Sequence, residues 1–250
     1  MAKIGLSRPR DHGAFVLGCR GERAASGSLE FVMGHFRFGG VFYGVVDLAE
    51  TEDVLVRAEK LALALLSGGA SAVQVRMKRG STRAMVEVAR IVRRLAREAG
   101  VPLIVNDRLD VALAARADGV HLGQDDLPLA EARQVIAASG RSLVVGVSTH
   151  NLEQAVAAAR AGADYLGFGP VFPTSTKENP DPVQGLDALA QVTRAVAPVP
   201  VVAIGGVTPA RTRSILDAGA ACACALSAVN SAPDVIAAAR LISGEWAPSG

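Results

Sequence analysis

The sequence predicts an α/β protein built as a single (β/α)8 TIM barrel, and three observations lead to this fold class. Eight short runs rich in Val, Ile and Leu recur from residue 41 onward, and each is followed by a segment of helical period. The runs are continuously apolar, as expected for parallel strands that are covered on both faces. The chain of 250 residues has the length of one such barrel. A doubly wound open sheet is the alternative, but no G-x-G-x-x-G follows the first strand.

The predicted elements alternate regularly along the chain. The strands are residues 41–47, 72–77, 102–107, 119–123, 143–148, 164–169, 199–206 and 222–227. Each strand is followed by a helix, for example residues 51–67 and 81–99, in which Ala, Leu and Arg recur at helical spacing. Glycine after the helical segments predicts left-handed helix stops at Gly68, Gly100, Gly140, Gly162 and Gly219.

Residues 1–40 differ from the rest of the chain. They are rich in Gly, Arg and Ser, show no periodicity and lack the apolar core of a signal peptide. We predict that they form a disordered N-terminal extension, with a start of translation at Met33 as the alternative. The catalytic domain is then expected to span residues 41–245.

Composition argues against several classes of function. The formal net charge is +2 and the chain contains no Lys/Arg-rich block, which argues against a nucleic-acid partner. No apolar segment approaches the roughly 18 residues of a membrane span. Three cysteines without framework spacing suit a reducing, cytoplasmic compartment, and Cys222 and Cys224 are expected to be core residues. The sequence sets no oligomeric state, and a homo-oligomer is compatible with it.

The second predicted strand gives the sharpest indication of a ligand. In AVQVRMK, Gln74, Arg76 and Lys78 alternate with apolar residues, which places the three polar groups on one face. Helices cover the outer face of a barrel strand, so this face is expected to point into the barrel mouth. Two cations there are costly to desolvate unless an anion binds them. A solvated face on an edge strand is the alternative.

Acidic and amide side chains end the neighbouring strands. Asn106 and Asp107 end the third strand, and Asp126 follows the fourth. Their oxygen atoms suit Mg²⁺, and Mg²⁺ in turn suits a phosphate held by the cations of the second strand. The alternatives are a helix N-cap for Asp125 or Asp126 and a salt bridge between Asp107 and Arg108.

Later loops carry further groups that bind anions. The stretch GPVFPTSTK, residues 169–177, follows the sixth strand and combines hydroxyls with Lys177. The seventh strand ends in Gly205 and Gly206, and the eighth ends at Ser227. Loops in these last two positions of a barrel frequently hold a phosphate through backbone N–H groups. A tight glycine turn without a ligand is the alternative.

Histidine is scarce in the predicted barrel. His121 lies inside the fourth strand and is expected to be a core residue, whereas His150 precedes a helix and is expected to belong to its capping region. Nothing resembles a Ser-His-Asp or Cys-His arrangement. The reaction is therefore expected to need little general acid–base catalysis.

Taken together, these motifs resemble the thiamine-phosphate synthase family, also called thiamin-phosphate pyrophosphorylase. The matching runs are QVRMK (74–78), NDRLDVALAARADGVHLGQDD (106–126), GVSTH (146–150), ADYLGFGPVFPTSTK (163–177) and AIGGV (203–207). They follow the family order and spacing and cover residues 43–229. The resemblance implies that 4-amino-2-methyl-5-hydroxymethylpyrimidine diphosphate is joined to a thiazole phosphate, giving thiamine monophosphate and pyrophosphate with Mg²⁺ as cofactor.

The resemblance also implies a role for each matching residue. The pyrimidine diphosphate would be bound by Gln74, Arg76 and Lys78, with Asn106 contacting the substrate. The ligands of Mg²⁺ would be Asp107 and Asp126. The leaving pyrophosphate would be held by Ser148, Thr174, Thr176 and Lys177. The thiazole phosphate would be held by Gly206 and Ser227. The residues expected to act in catalysis are Arg76, Lys78, Ser148 and Lys177.

The chain departs from the family pattern in three places. The eighth strand, AACACALSAV, lacks the usual Asp-Gly, Val46 stands where Thr is common, and residues 1–40 have no family counterpart. The rival interpretations are a thiazole tautomerase-like paralogue, a non-catalytic regulatory relative and a phosphate-sugar aldolase or epimerase. The presence of Arg76, Lys78 and both aspartates favours the synthase.

Overall fold

The structure, a computed structural model, describes residues 30–32, 35–174 and 181–244. Two short strands, β1 (Glu30–Val32) and β2 (His35–Arg37), pair antiparallel ahead of the barrel. The barrel strands are β3 (Phe42–Asp47), β4 (Ala72–Arg76), β5 (Leu103–Asn106), β6 (Gly119–Leu122), β7 (Val144–Thr149), β8 (Tyr165–Phe168), β9 (Val201–Ile204) and β10 (Cys222–Cys224). Each pairs in parallel with its neighbour, and β10 closes the barrel on β3. The predicted (β/α)8 barrel is therefore confirmed.

A helix follows each barrel strand, as the sequence predicts. The helices are α1 (Val54–Ser67), α2 (Thr82–Glu98), α3 (Leu109–Ala115), α4 (Leu129–Ala138), α5 (Leu152–Arg160), α6 (Gly185–Val196), α7 (Pro209–Asp217), α8 (Ser227–Asn230) and α9 (Val235–Gly244). Throughout the residues that the structure describes, no helix has the length and apolar character needed to cross a membrane.

The helix α2 shows how the sequence sets these elements. Ser81 caps it, because its Oγ accepts a hydrogen bond from N of Ala84 at 3.2 Å. Its buried residues recur at helical spacing and pack on β4 and β5.

The predicted helix stops hold for every glycine except Gly68, whose φ of −85° is not left-handed. The following residue, Gly69, takes the left-handed conformation instead, with φ of 88°. Gly68 serves a different purpose, because a Cβ there would lie 2.2 Å from Cβ of Ala239 in α9. It therefore allows α9 to approach the end of α1.

Apolar side chains cover both faces of the barrel strands. On the outer face, Val73, Val75 and Met77 are buried against the helices, as the alternation in AVQVRMK predicts. The inner face holds a second group of buried residues, namely Phe36, Tyr43, Val45, Ala72, Ile104, Val144, Tyr165, Val202, Cys222 and Cys224. The two cysteines are thus small core residues, as predicted.

The segment just before the barrel packs against its interior. Phe36 is 2% exposed, and its ring centroid lies 6.0 Å from that of Tyr165 and 4.7 Å from that of Phe38. Residues 1–29 lie outside the described residues, so their predicted disorder stays a prediction. The ring of Phe36 completes the inner core ahead of the predicted domain boundary at residue 41, and that boundary stays a prediction. Strands of three residues are too short to show a periodic pattern in the sequence.

Candidate active site

A cavity of about 320 Å³ opens at the carboxyl ends of the barrel strands. The predicted site residues that line it are Gln74, Arg76, Lys78, Asn106, Asp107, Ser148, Thr174, Gly206 and Ser227. They come from separate strands and loops, but the carboxyl ends of parallel barrel strands share one rim. Two more predicted residues, Thr176 and Lys177, lie outside the described residues.

The cations of this cavity are both paired with carboxylates. Gln74 and Arg76 extend inward from β4, and Nη1 of Arg76 donates to Oδ1 of Asp47 at 2.6 Å. Lys78 lies just beyond the strand, where its Nζ donates to Oδ2 of Asp107 at 2.5 Å. An incoming polyanion would therefore compete with two existing ion pairs.

The two predicted metal ligands are neighbours, although only Asp107 lines the cavity and Asp126 lies beside it. Asp107 has a left-handed backbone, with φ of 61°, and its N–H donates to the carbonyl of His121 at 2.7 Å. Such a conformation is uncommon outside glycine and is often found at functional sites. Oδ2 of Asp126 accepts from N of Gly123 at 2.6 Å. Burial raises the pKa of Asp126, and the neighbouring Asp107 carboxyl raises it further. A divalent cation between them would relieve this repulsion.

The alternative roles predicted for these acids, a helix N-cap and a salt bridge to Arg108, are both wrong. Arg108 pairs with Asp110 at 2.6 Å rather than with Asp107. The residue at the start of α4 is Pro128, and no side chain caps that helix. Over the described ranges, no group of three or more His, Cys, Asp or Glu side chains is arranged to hold a metal. Two carboxylates nevertheless fit Mg²⁺, which is commonly bound by one or two of them together with water and phosphate oxygens.

A chain of hydrogen bonds crosses the barrel interior and ends at Ser148. Nε2 of Gln74 donates to Oη of Tyr43 at 3.0 Å, and the hydroxyls of Tyr43 and Tyr165 lie 2.9 Å apart. Nδ1 of His121 lies 2.9 Å from Oη of Tyr165, and its Nε2 lies 2.8 Å from Oγ of Ser148. Burial lowers the pKa of His121 to about 4, so that its imidazole is neutral near pH 7.

Tyr43, Tyr165 and His121 belong to the site, although no motif in the sequence predicts this. His121 is more than the core residue expected, because it lines the cavity together with both tyrosines. Composition offers one signal, because Tyr43 and Tyr165 are the only two tyrosines of the chain. Both lie on barrel strands, at positions that face inward.

The loop after β9 is pressed against the loop after β8. Gly205 and Gly206 have φ values of 92° and 63°, and a Cβ on Gly206 would lie 2.5 Å from the carbonyl oxygen of Pro173. Arg211 in α7 joins the two loops: its Nη1 donates to O of Gly206 at 2.6 Å, and its guanidinium lies 4.5 Å from the ring centroid of Phe172. Glycine at these positions is required by both backbone conformation and space.

The end of the eighth barrel strand differs from the prediction. Only Cys222–Cys224 pair with the neighbouring strands, and Ser227 is the first residue of α8 rather than the last of a strand. The chain leaves the sheet at this point, yet Ser227 still lines the cavity. Val46, which replaces a common Thr, is buried on the outer face of β3, where its side chain packs among core residues.

The structure brings His150 to the cavity wall. Its Nδ1 lies 2.6 Å from the carbonyl oxygen of Gly169 and 3.5 Å from Oδ2 of Asp181. Asn151, not His150, provides the side-chain cap of α5, by accepting from N of Gln154 at 2.9 Å. His150 directly precedes this cap, and its own N–H donates to Oε1 of Gln154 at 2.8 Å, so the expectation that it belongs to the capping region is confirmed.

Comparison with known proteins places this site in a family. The family profile described as thiamine monophosphate synthase matches residues 42–229. The chain belongs to the thiamine monophosphate synthase family. The matched range runs from the start of β3 into α8 and contains every residue predicted for the site.

Relatives within the thiamine monophosphate synthase family are similar over most of their length. The thiamine-phosphate synthase of Chloroflexus aurantiacus is 53% identical over 177 residues, which are 71% of this chain and 80% of the relative. That of Methanocella arvoryzae is 47% identical over 181 residues, 72% of this chain and 84% of the relative. The structure of thiamine phosphate pyrophosphorylase from Pyrococcus furiosus superposes with a TM-score of 0.71 at 37% identity, covering 81% of this chain and 93% of that one.

Proposed function

We propose that the protein is a thiamine-phosphate synthase, a transferase that joins 4-amino-2-methyl-5-hydroxymethylpyrimidine diphosphate to 4-methyl-5-(2-phosphoethyl)thiazole or its carboxylated form. Thiamine monophosphate and pyrophosphate are the products. The observation that carries this proposal is a single cavity that combines the cations Arg76 and Lys78 with Asp107, Gly206 and Ser227. A reaction of two phosphorylated substrates requires both kinds of anion site to open on one space.

The residues divide into a diphosphate side and a phosphate side. On the diphosphate side, Gln74, Arg76 and Lys78 would bind the pyrimidine substrate, with Asn106 in contact with it. The departing pyrophosphate would be held by Ser148, Thr174, Thr176 and Lys177. On the phosphate side, the backbone at Gly206 and the start of α8 at Ser227 would hold the thiazole phosphate. The tightly turned glycines after β9 support this division, because they let a ligand approach backbone N–H groups.

The chemistry requires charge stabilisation more than proton transfer. The bond between the pyrimidine methylene carbon and the diphosphate oxygen breaks, and its electron pair leaves with pyrophosphate. The aminopyrimidine delocalises the positive charge left on carbon. The thiazole nitrogen then forms the new C–N bond with its free lone pair and needs no base. Arg76 and Lys78 would stabilise the negative charge on the departing oxygens through charge-assisted hydrogen bonds.

Asp107 and Asp126 would hold Mg²⁺, which supplies positive charge to the same oxygens. Their proximity supports this assignment, because the Asp107 carboxyl contributes to raising the pKa of Asp126. In the structure, Lys78 supplies the positive charge next to Asp107.

One assay tests the proposal. The purified full-length protein is incubated with both substrates and Mg²⁺, and thiamine monophosphate and pyrophosphate are quantified. We expect equal amounts of both products, and neither product when one substrate is omitted or EDTA is added. Pyrophosphate without thiamine monophosphate would indicate a hydrolase and overturn the synthase. Turnover that persists in EDTA would contradict only the metal site.

A further inference from the structure

The hydrogen bonds between Gln74 and Ser148 have a direction that the heavy atoms determine. An amide nitrogen only donates, so Nε2 of Gln74 donates to Oη of Tyr43. The hydroxyl proton of Tyr43 then has Oη of Tyr165 as its acceptor, 2.9 Å away. The proton of Tyr165 in turn has Nδ1 of His121 as its acceptor, also at 2.9 Å. His121 therefore carries its proton on Nε2, which donates to Oγ of Ser148 at 2.8 Å.

The opposite direction leaves a buried proton without a partner. If His121 carried its proton on Nδ1, Tyr165 would accept from it and would have to donate to Tyr43. Oη of Tyr43 would then accept from both Gln74 and Tyr165. Its own proton would have no acceptor among the hydrogen bonds of the described residues. Leaving a buried donor unpaired is costly, so the first direction is favoured.

Two glycines of the barrel strands leave space for the rings of Tyr165 and His121. A Cβ on Gly146 of β7 would lie 2.1 Å from Cζ of Tyr165, and a Cβ on Gly167 of β8 would lie 3.0 Å from Cε1 of His121. Each glycine therefore makes room for one ring. Below them, Phe36 and Phe38 pack against Tyr165, with ring centroids 6.0 and 5.4 Å away. The rings are held from several sides, as a fixed orientation requires.

We propose that Tyr165 and His121 are positioning residues that orient the hydroxyl of Ser148. Because Oγ of Ser148 accepts from Nε2–H of His121, its own proton is directed away from His121 and is available to an acceptor in the cavity. The acceptor would be an anionic or carbonyl oxygen of a bound ligand. Under the proposed function, on which this step rests, it is an oxygen of the departing pyrophosphate.

The side chains in this series of hydrogen bonds hold their protons rather than transfer them. Burial raises the pKa of both tyrosines well above its ordinary range. The two tyrosines therefore stay protonated donors across the working pH range, which is what a positioning role needs.

The tautomer of His121 is the first test, and it needs no substrate. The full-length protein is labelled with ¹⁵N-histidine, and the His121 resonances are assigned by comparison with a His121→Gln variant. We expect a neutral ring protonated on Nε2. In Tyr165→Phe the donor to Nδ1 is lost, and we expect a mixture of tautomers. Tyr43→Phe is the matched control: Tyr165 keeps its proton and its acceptor, so the Nε2–H form should persist. Protonation of His121 on Nδ1 in the wild-type protein would overturn the proposal.

The second test asks whether Tyr165 acts through Ser148. We expect Tyr165→Phe to lower kcat about three- to tenfold, with a smaller change in KM, because the hydroxyl assists charge that develops as the bond breaks. In a Ser148→Ala background the same change should cause no further loss, because the group it orients is absent. A loss of equal size in both backgrounds would show a merely structural role and overturn the proposal.

Failure of this inference is distinguishable from failure of the proposed function. A wild-type protein that makes no thiamine monophosphate would disprove the proposed function. The tautomer measurement would still decide whether the hydrogen bonds run from Gln74 to Ser148 in the stated direction. If Tyr165→Phe fails to fold, the His121 tautomer in the wild-type spectrum still tests the direction of the hydrogen bonds. Conversely, an active enzyme with the other tautomer would leave the function intact and reject the positioning role.

Discussion

Nζ of Lys78 lies 2.5 Å from Oδ2 of Asp107, so a side chain proposed to bind the diphosphate is paired with one proposed to bind the metal. The Lys78 side chain is 55% exposed, and an ion pair in such a position is weak and readily exchanged. A divalent cation bound to Asp107 and Asp126 would take over the role of Lys78. The lysine would then be released toward the oxygens of the diphosphate. Metal and substrate, if bound as proposed, would thus rearrange the charges of the site together.

Replacement of Asp107 tests the metal site directly. We expect Asp107→Asn to reduce turnover on the order of a hundredfold or more, because a charged oxygen ligand becomes neutral. Asparagine tolerates the left-handed backbone found at this position, with φ of 61°, so the fold should persist. Asp107→Ala should likewise abolish turnover without unfolding the barrel. The measurements are kcat as a function of Mg²⁺ concentration and the thermal midpoint.

Asp110→Asn is the matched control for this change. Asp110 pairs with Arg108 close by in sequence and does not line the cavity. Its replacement should leave kcat and the Mg²⁺ dependence near wild type. Near-wild-type turnover in Asp107→Asn would remove Asp107 from the metal site.

Removal of Lys78 should strengthen metal binding in the absence of substrate. Because the ammonium group competes with a cation for Asp107, we expect Lys78→Ala to bind Mn²⁺, a probe for Mg²⁺, about two- to fivefold more tightly. Titration followed by electron paramagnetic resonance measures this affinity. Lys60→Ala, which removes an exposed lysine of α1, should leave it unchanged. Weaker Mn²⁺ binding in Lys78→Ala would contradict the competition.

Gly206 offers a test of the proposed thiazole phosphate site. Gly206→Ala introduces a Cβ 2.5 Å from the carbonyl oxygen of Pro173 and 2.7 Å from Cβ of Phe172, so the two loops must separate. We expect the KM for the thiazole phosphate to rise, and the free energy of unfolding to fall by about 3 kcal/mol.

Gly140→Ala separates the effect of space from that of backbone conformation. Gly140 has nearly the same φ, 66° against 63°, but a Cβ there would meet nothing within 4 Å. Its replacement should cost only the left-handed conformation, about 1 kcal/mol, with KM unchanged. If both variants behaved alike, the close contact between the loops would have no part in binding.

Much of this arrangement could be predicted from the sequence, because it depends on local patterns. The alternation in AVQVRMK correctly placed Gln74 and Arg76 in the barrel, and the strand ends correctly placed Asn106 and Asp107 at the cavity. Each of these follows from the period of a strand and from the rule that parallel strands share a rim.

The remaining features depend on contacts that no local pattern contains. The hydroxyls of Tyr43 and Tyr165 meet only because the barrel closes, although 122 residues separate them. Their connection to Ser148 through His121 depends on the stagger of β6, β7 and β8. Hydrophobic periodicity reports which face of a strand is buried, but not which side chains meet across the interior.

Phe36 provides a test of the segment before the barrel. Its ring is 2% exposed and packs on Phe38 and Tyr165, so Phe36→Ala would leave a cavity beneath the barrel interior. We expect the free energy of unfolding to fall by about 3–5 kcal/mol, as for other buried phenylalanines. Chemical denaturation measures the change. Arg37→Ala, at the exposed neighbouring position, should alter it by less than about 0.5 kcal/mol. A Phe36→Ala loss as small as that of Arg37→Ala would mean that the barrel closes without this residue, and that the domain begins at β3.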